Sequence, residues 1–315
     1  MISNMQFLGI DTSNYTTSVA IYDDNSEIVQ QKKLLPVKKG ERGLRQSDAV
    51  FHHTQQLPII IQKLSQDIDI KPTAIGVSTT PRPVKGSYMP CFTVGSGFAN
   101  SLANILNVPL YTFSHQEGHI VAALYSADRL DLLSSRFLAF HISGGTTEAL
   151  LVTGDGNGKI DIQLVANTLD LNAGQVIDRV GVELGLDFPC GKGLEKLALD
   201  YNGKLNFKPT LKGLDCCLSG VENQCKDMIN RGISNQEVSA YCLLAIEKTL
   251  TKMCEGLIQK YGDLPILFAG GVMSNTIIRN NLERRFNAIF AKPEFSADNA
   301  AGIAVLTKIK WRTQN

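Results

Sequence analysis

The 315-residue chain has almost no excess of either charge, with 31 Lys and Arg against 30 Asp and Glu and a formal net charge of +1. A global positive field able to hold nucleic acid or an anionic membrane is thereby excluded, and any such contact has to use a local patch. Long apolar runs are missing too: no segment approaches the ~20 apolar residues of a membrane span. The opening residues, Met1-Ile2-Ser3-Asn4-Met5-Gln6, lack the basic region and apolar core of a secretory signal. The seven cysteines, Cys91, Cys190, Cys216, Cys217, Cys225, Cys242 and Cys254, form no CxxC pair and show no regular spacing. They read as reduced thiols rather than a disulfide or zinc framework. These absences predict a cytoplasmic globular protein without a membrane partner, long enough for two domains of ordinary size.

What is present is a regular alternation of elements. Short apolar runs at 7–10 and 17–22, separated by a polar turn, predict a hairpin. Val50, Leu57, Ile60, Ile61, Leu64 and Ile68 recur at helical spacing and predict a helix over 48–69. A strand at 74–78, a loop at 80–87, a helix at 91–107 and a strand at 109–113 follow. The second half opens the same way, with a strand at 137–142, a glycine turn and a strand at 148–152. Beyond it the pattern predicts helices within 172–200 around a break at 188–193, and a long amphipathic helix at 235–261. A buried strand running into Gly270-Gly271 comes next, and an apolar helix begins near Asp298. Ser274-Asn275 fall at a helix N-terminus, where free backbone N–H groups and the dipole favour an anion or a polar ligand group. The repeated opening suggests internal duplication. Glycine turns behind strands in both halves describe the duplicated α/β actin, Hsp70 and sugar-kinase (ASKHA) architecture. Two domains are expected, residues 1–112 and 113–315, with a nucleotide cleft between them.

The chemistry concentrates at a few positions. His115 and His119 are one helical turn apart, so both imidazoles can face one divalent metal. Gly9-Ile10-Asp11-Thr12-Ser13 and Ser143-Gly144-Gly145-Thr146-Thr147 each follow a strand-like run and are candidates for phosphate loops. Lys32-Lys33, Lys38-Lys39 with Arg42 and Arg45, and Arg279 with Arg284 and Arg285 are candidate basic patches, each of which also reads as an ordinary solvated face.

With these features in order, the chain resembles the tRNA threonylcarbamoyladenosine transferase family, formerly labelled O-sialoglycoprotein endopeptidases. The resemblance spans about 7–309. It rests on the first loop, His115-Gln116-Glu117-Gly118-His119, Ser143-Gly144-Gly145, Ile177-Asp178-Arg179, Leu218-Ser219-Gly220, Ala269-Gly270-Gly271-Val272 with Asn275, and Ser296-Ala297-Asp298-Asn299. It implies transfer of a threonylcarbamoyl group from threonylcarbamoyl-adenylate to N6 of adenosine 37 in tRNA. By the same resemblance His115, His119 and Asp298 are ligands of an iron or zinc ion. Ser143, Gly144 and Gly145 approach the phosphate of an adenine nucleotide or adenylate, and Asp178, Gly191 and Asn275 hold its ribose and adenine. The implied partners are a smaller homologous ASKHA subunit, docking around 48–69 and 91–107, an ATPase, and tRNA.

Asp11 and Tyr15 stand at the catalytic positions of the first loop, and there the chain departs from the pattern. The family reads Glu-Thr-Ser-Cys-Asp followed by an acid and Thr, whereas this chain reads Asp11-Thr12-Ser13-Asn14-Tyr15-Thr16-Thr17. A tyrosine, with a reference pKa of about 10, cannot serve as a carboxylate base at pH 7. Thr146 replaces a His, Gln175 a Glu, and Cys190-Gly191-Lys192 a Gly-Gly-Pro. Glu222 replaces a Lys, which weakens RNA contact if that position faces phosphate. Two readings stay open: an active transferase, or a nucleotide- and metal-binding paralogue with a regulatory or scaffold role or another acceptor. The His pair and Asp298 argue against a small-molecule kinase. Gln116 stands where zincin spacing needs a Glu, which argues against a peptidase.

Overall fold

The computed structural model describes residues 5–13, 15–36, 44–296 and 298–315. Asn14 of the first loop and the candidate patch residues Lys38, Lys39 and Arg42 lie outside the described residues. In chain order the elements are β1 (Gln6–Ser13), β2 (Thr16–Asp23), β3 (Ile28–Leu34), α1 (Gln46–Asp67), β4 (Pro72–Thr80), α2 (Phe92–Leu106), β5 (Leu110–Ser114) and α3 (His115–Ser126). Then come β6 (Arg136–Ile142), β7 (Thr147–Gly154), β8 (Ile160–Asn167), α4 (Ala173–Glu183), α5 (Gly191–Leu199), β9 (Leu211–Lys212), β10 (Asp215–Cys216) and α6 (Ser219–Asn230). The chain closes with α7 (Asn235–Tyr261), β11 (Ile266–Ala269), α8 (Thr276–Arg285), β12 (Ala288–Phe290) and α9 (Ala301–Arg312). No helix among the described residues is long and apolar enough to cross a membrane.

Contacts divide the chain into two compact units. The first comprises 1–135, 154–160 and 294–315, and the second 136–153 and 161–293. The expected boundary at 112/113 therefore moves: α3 belongs with the first unit, and so does the C-terminal helix. The physical reason is burial. Helix α9 packs on α3 and on β1, β2 and β4, and its Ile303, Val305 and Leu306 are removed from solvent there.

The first unit is built on a five-stranded sheet in the order β3-β2-β1-β4-β5. β1 and β2 form the expected hairpin, antiparallel from Gln6↔Asp23 to Ser13↔Thr16, while β1, β4 and β5 run parallel. Every residue of β1 is buried, which suits a strand covered on both faces. One face holds Leu8, Ile10, Val19, Ile21, Ile75 and Val77 against Leu57, Ile60 and Leu64 of α1 and Ala99 and Ala103 of α2. Helices α3 and α9 also meet directly. Gly302 has no side chain because a Cβ there would overlap the Gly118 carbonyl.

The second unit repeats the plan with a sheet ordered β8-β7-β6-β11-β12. β6 and β7 form an antiparallel hairpin, and β6, β11 and β12 run parallel. The same strand order in both units carries the duplication the sequence suggested. Its core joins Leu138, Phe140 and Phe268 of the sheet to Val176 and Val180 of α4 and Leu243, Ile246 and Leu250 of α7. Five strands, β3, β8, β9, β10 and β12, and one helix, α6, were not expected from sequence.

Candidate functional site

In the first unit, Ser114 ends β5 and opens α3 through a reciprocal capping box. Its hydroxyl accepts from Glu117 N at 3.2 Å, and the Glu117 carboxylate accepts from Ser114 N at 2.6 Å. This start places His115 at the first position of α3 and His119 one turn on, with ring centroids 4.3 Å apart. Asp298 arrives from the other end of the chain, in the segment that leads into α9, where Asn299 Oδ1 accepts from Ala301 N at 3.0 Å. Its Oδ1 lies 3.0 Å from His119 Nε2 and 3.5 Å from His115 Nε2. The three donor atoms all fall within 4.8 Å of one another. Metal–nitrogen and metal–oxygen bonds of about 2.0–2.1 Å at tetrahedral angles place neighbouring ligand atoms about 3.3 Å apart. The observed separations bracket that figure, so the residues fit a divalent ion. Two imidazoles and a carboxylate suit Zn²⁺ or Fe²⁺ and leave positions open for substrate oxygens.

Asp11, at the end of β1, is fully buried behind this cluster. Its Oδ2 accepts from Ser13 Oγ at 2.6 Å and lies 3.1 Å from His115 Nδ1, and its Oδ1 accepts from Ser78 Oγ. Burial alone would raise the Asp11 pKa, but the His115 charge and these hydrogen bonds outweigh it and hold the carboxyl below its usual range. Burial by itself would likewise lower the His115 pKa; the Asp11 charge and the carboxylate hydrogen bonds instead push it up to about 10. Asp298 is held well below the usual carboxylate range, the hydrogen bonds from both imidazoles outweighing its desolvation. Thr16, the first residue of β2, donates to Asp298 Oδ2 at 3.4 Å. Tyr15, the other expected catalytic residue, does not join the cluster. Its carbonyl accepts from Leu35 N at 2.8 Å, and the residue is half-buried.

All six expected nucleotide-binding positions lie in the second unit, Ser143, Gly144 and Gly145 just after β6 and Asn275 shortly after β11, adjacent parallel strands paired at Ala269↔His141. Ligands favour that end of such a sheet. After β6, Ser143 folds the loop about its own hydroxyl, which accepts from Gly145 N at 3.2 Å and Thr146 N at 3.0 Å. Gly144 and Gly145 are exposed with open space where a Cβ would be, so an anion can approach the backbone. The loop rests on the N-terminus of α4: Gly174 N donates to Ser143 O at 3.1 Å, and a Cβ on Gly174 would come within 2.6 Å of Gly144 N. Gln175, in place of the usual Glu, still accepts from Asn172 N at 3.0 Å and completes the cap.

Asp178 Oδ1 accepts from Cys190 N at 2.8 Å, which ties α4 to the start of α5 at Gly191. One turn on, Glu195 accepts from Thr276 N at 2.6 Å. Asn275 Oδ1 accepts from Ile278 N at 3.1 Å. The N-terminus of α8 is therefore capped by its own chain, which corrects the expectation of free N–H groups there; Asn275 spends only Oδ1 on the cap. Glu195 gave no signal in sequence, because its partner is 81 positions away.

Two further positions that the sequence singled out can be placed. Glu222 does not face outward: it is buried and bonded to Lys226 Nζ at 2.8 Å and Arg179 at 3.2 Å. Burial would raise its pKa, and Lys226 and Arg179 hold it below the usual range instead. Arg279 pairs with Glu283 at 2.7 Å and Arg284 with Asn281 at 2.8 Å, the behaviour of a solvated helix face.

In comparisons of whole folds, a full-length HypF in its phosphate- and nucleotide-bound form is similar over 98% of this chain, with a TM-score of 0.63 at 12% identity; the match covers 46% of that protein. HypF of T. kodakarensis matches 99% of this chain at 14% identity and a TM-score of 0.62, over 49% of its own length. The chain thus spans about half the length of both. Component A of (R)-2-hydroxyglutaryl-CoA dehydratase from Acidaminococcus fermentans matches 97% of this chain and 99% of its own, at 16% identity and a TM-score of 0.55. At such identities the likeness establishes the fold, a two-domain ASKHA α/β architecture. A sequence profile for tRNA N6-adenosine threonylcarbamoyltransferase (TsaD) matches residues 26–305, from the strand after the first hairpin to within α9. The profile covers most of the chain, which therefore belongs to the tRNA N6-adenosine threonylcarbamoyltransferase family.

Proposed function

We propose that this protein transfers the threonylcarbamoyl group from threonylcarbamoyl-adenylate to N6 of adenosine 37 in tRNA, using one divalent ion, Fe²⁺ or Zn²⁺. The observation that carries the reading is the convergence of His115 Nε2, His119 Nε2 and Asp298 Oδ1 in a family member. When bound, the ion supplies Lewis acidity toward donor oxygens. The chain's own groups do the rest. Gly144 and Gly145 expose backbone to the adenylate phosphate, while Asp178, Gly191 and Asn275 hold its ribose and adenine. In the transfer the N6 nitrogen bonds to the carbamoyl carbon, the bond from that carbon to the phosphate oxygen breaks, AMP leaves and N6 loses a proton.

The smaller homologous subunit is proposed to dock on α1 and α2, where Phe51, Ile59, Ile105 and Leu106 are exposed; an ATPase and tRNA complete the set. Ile105, near the end of α2, is 79% exposed. Ile105→Glu is expected to abolish co-elution with that subunit while leaving the melting temperature unchanged, and persistent co-elution would move the interface elsewhere.

Tyr15 favours a second reading, a binding paralogue that has lost tRNA modification, because no carboxylate stands at that position of the first loop. Single-turnover transfer with metal-loaded protein and its partner, with Tyr15→Asp in parallel, separates the two. Product from the wild type supports the transferase. Product from the variant alone supports the paralogue, and adenylate binding without product from either points to another acceptor.

A further inference from the structure

We propose that Asp11 and Thr16 are positioning residues forming the outer shell of the metal centre: Asp11 fixes His115 with Nε2 toward the ion, and Thr16 restricts Asp298 to one ligating oxygen. The proposal rests on the reading of His115, His119 and Asp298 as metal ligands.

A neutral imidazole that gives one nitrogen to a metal carries its hydrogen on the other, and that hydrogen needs an acceptor. For His115 the acceptor is Asp11 Oδ2, 3.1 Å from Nδ1. The opposite nitrogen, Nε2, is the one that lies 3.5 Å from Asp298 Oδ1. Asp11 cannot itself reach the ion, because the imidazole ring stands between. It is also fully committed, with Ser13 Oγ on one oxygen and Ser78 Oγ on the other. Those hydroxyls come from β1 and β4, so the carboxylate is braced by two strands and aims the ring from a fixed base. This gives Asp11 a role away from the substrate, unlike the catalytic one its loop position implies.

Asp298 is divided in a similar way. Oδ1 faces both imidazoles, and Oδ2 accepts from Thr16 Oγ1 at 3.4 Å. A carboxylate with one oxygen engaged elsewhere ligates through the other, which leaves coordination positions free for substrate oxygens. Thr16 stands where the family carries an acid. The departure therefore exchanges a carboxylate for a hydroxyl donor that Asp298 can use.

The test is titration of the chelator-treated full chain with Co²⁺ alone, following affinity and the d–d absorption of the bound ion, with folding checked by near-UV circular dichroism. Thr16→Val keeps the shape and removes the donor. It is expected to weaken Co²⁺ binding roughly 10-fold and to lower the absorption intensity, as Asp298 swings to two-oxygen ligation and the coordination number rises. Thr16→Ser is expected to restore both. Asp11→Asn is expected to weaken binding by about 10- to 100-fold; should it fail to fold, the Thr16 pair still decides. If the parent chain binds no Co²⁺, the metal reading itself falls. If the parent binds and the variants match it in affinity and spectrum, the outer-shell proposal is overturned while the metal reading stands, and a single variant that matches removes that residue.

Discussion

At His53 of α1 a hydrogen-bond chain settles the state of a buried imidazole. Gln56 Nε2 donates to Leu34 O at 3.2 Å, which turns Gln56 Oε1 toward Thr17; the Thr17 hydroxyl donates to it at 3.0 Å. The Thr17 oxygen is then left to accept from His53 Nδ1–H at 2.8 Å. Among the described residues His53 Nε2 is a buried acceptor with no partner, and burial pushes the His53 pKa down to about 4. The unfolded chain takes up this proton near pH 6.5 and the folded chain only near 4. Stability is therefore expected to fall as pH drops through that window, by up to about 3 kcal/mol. His115 acts in the opposite sense in metal-free protein. Raised to about 10, it contributes stability fully below about 6.5 and loses it toward pH 10. Urea midpoints of the metal-free protein should accordingly peak near pH 6.5, and His53→Gln should flatten the acid side; an unchanged slope would show that another group titrates there. Glu222 yields a second expectation. Glu222→Lys restores the family's residue but places three cations together at a buried position, with Arg179 and Lys226 as neighbours. It should lower stability by about 2 kcal/mol, read as a shift in urea midpoint, and should not improve tRNA binding.

Among the elements, the contact of α3 with α9 matters most, because one helix carries the histidines and the other follows Asp298. Their backbones touch at Gly118 and Gly302, so the separation of the ligands depends on the absence of a side chain. Gly302→Ala is expected to cost about 1–3 kcal/mol by overpacking and to weaken divalent-ion binding together with stability. Calorimetric titration showing full affinity in the folded variant would uncouple the two. Helix boundaries were largely legible because their signals are local: α7 runs over 235–261 as its periodicity indicated, and α5 begins at Gly191 after the break. The capping box of α3 was equally legible in Ser114-x-x-Glu117, a spacing that would have located the start of the histidine helix. β3 was not legible. Its Gln30, Gln31, Lys32 and Lys33 lack strict alternation, and it is a strand because the edge of β2 offers hydrogen bonds from Thr16 to Tyr22.

For the molecule as a whole, the chain leaves its first unit, builds the second, and returns with 294–315. A chain ending at residue 293 loses α9 and Asp298 together. Hydrogen exchange on it is expected to show β1, β2 and β4 unprotected, since α9 packs on all three strands; retained protection in the first sheet would contradict this. The sequence by itself determined the two opening hairpins, the long helices and the family to which the chain belongs. These rest on local periodicity, glycine turns and a motif order that a linear reading preserves. Tertiary structure alone decided which atoms meet. It brought Asp298 to a helix 179 positions away, set Asp11 behind His115, turned Glu222 inward and capped α8 with Glu195. Such pairings are fixed by packing between elements distant in the chain, where burial and hydrogen-bond satisfaction act on the folded surface rather than along the sequence.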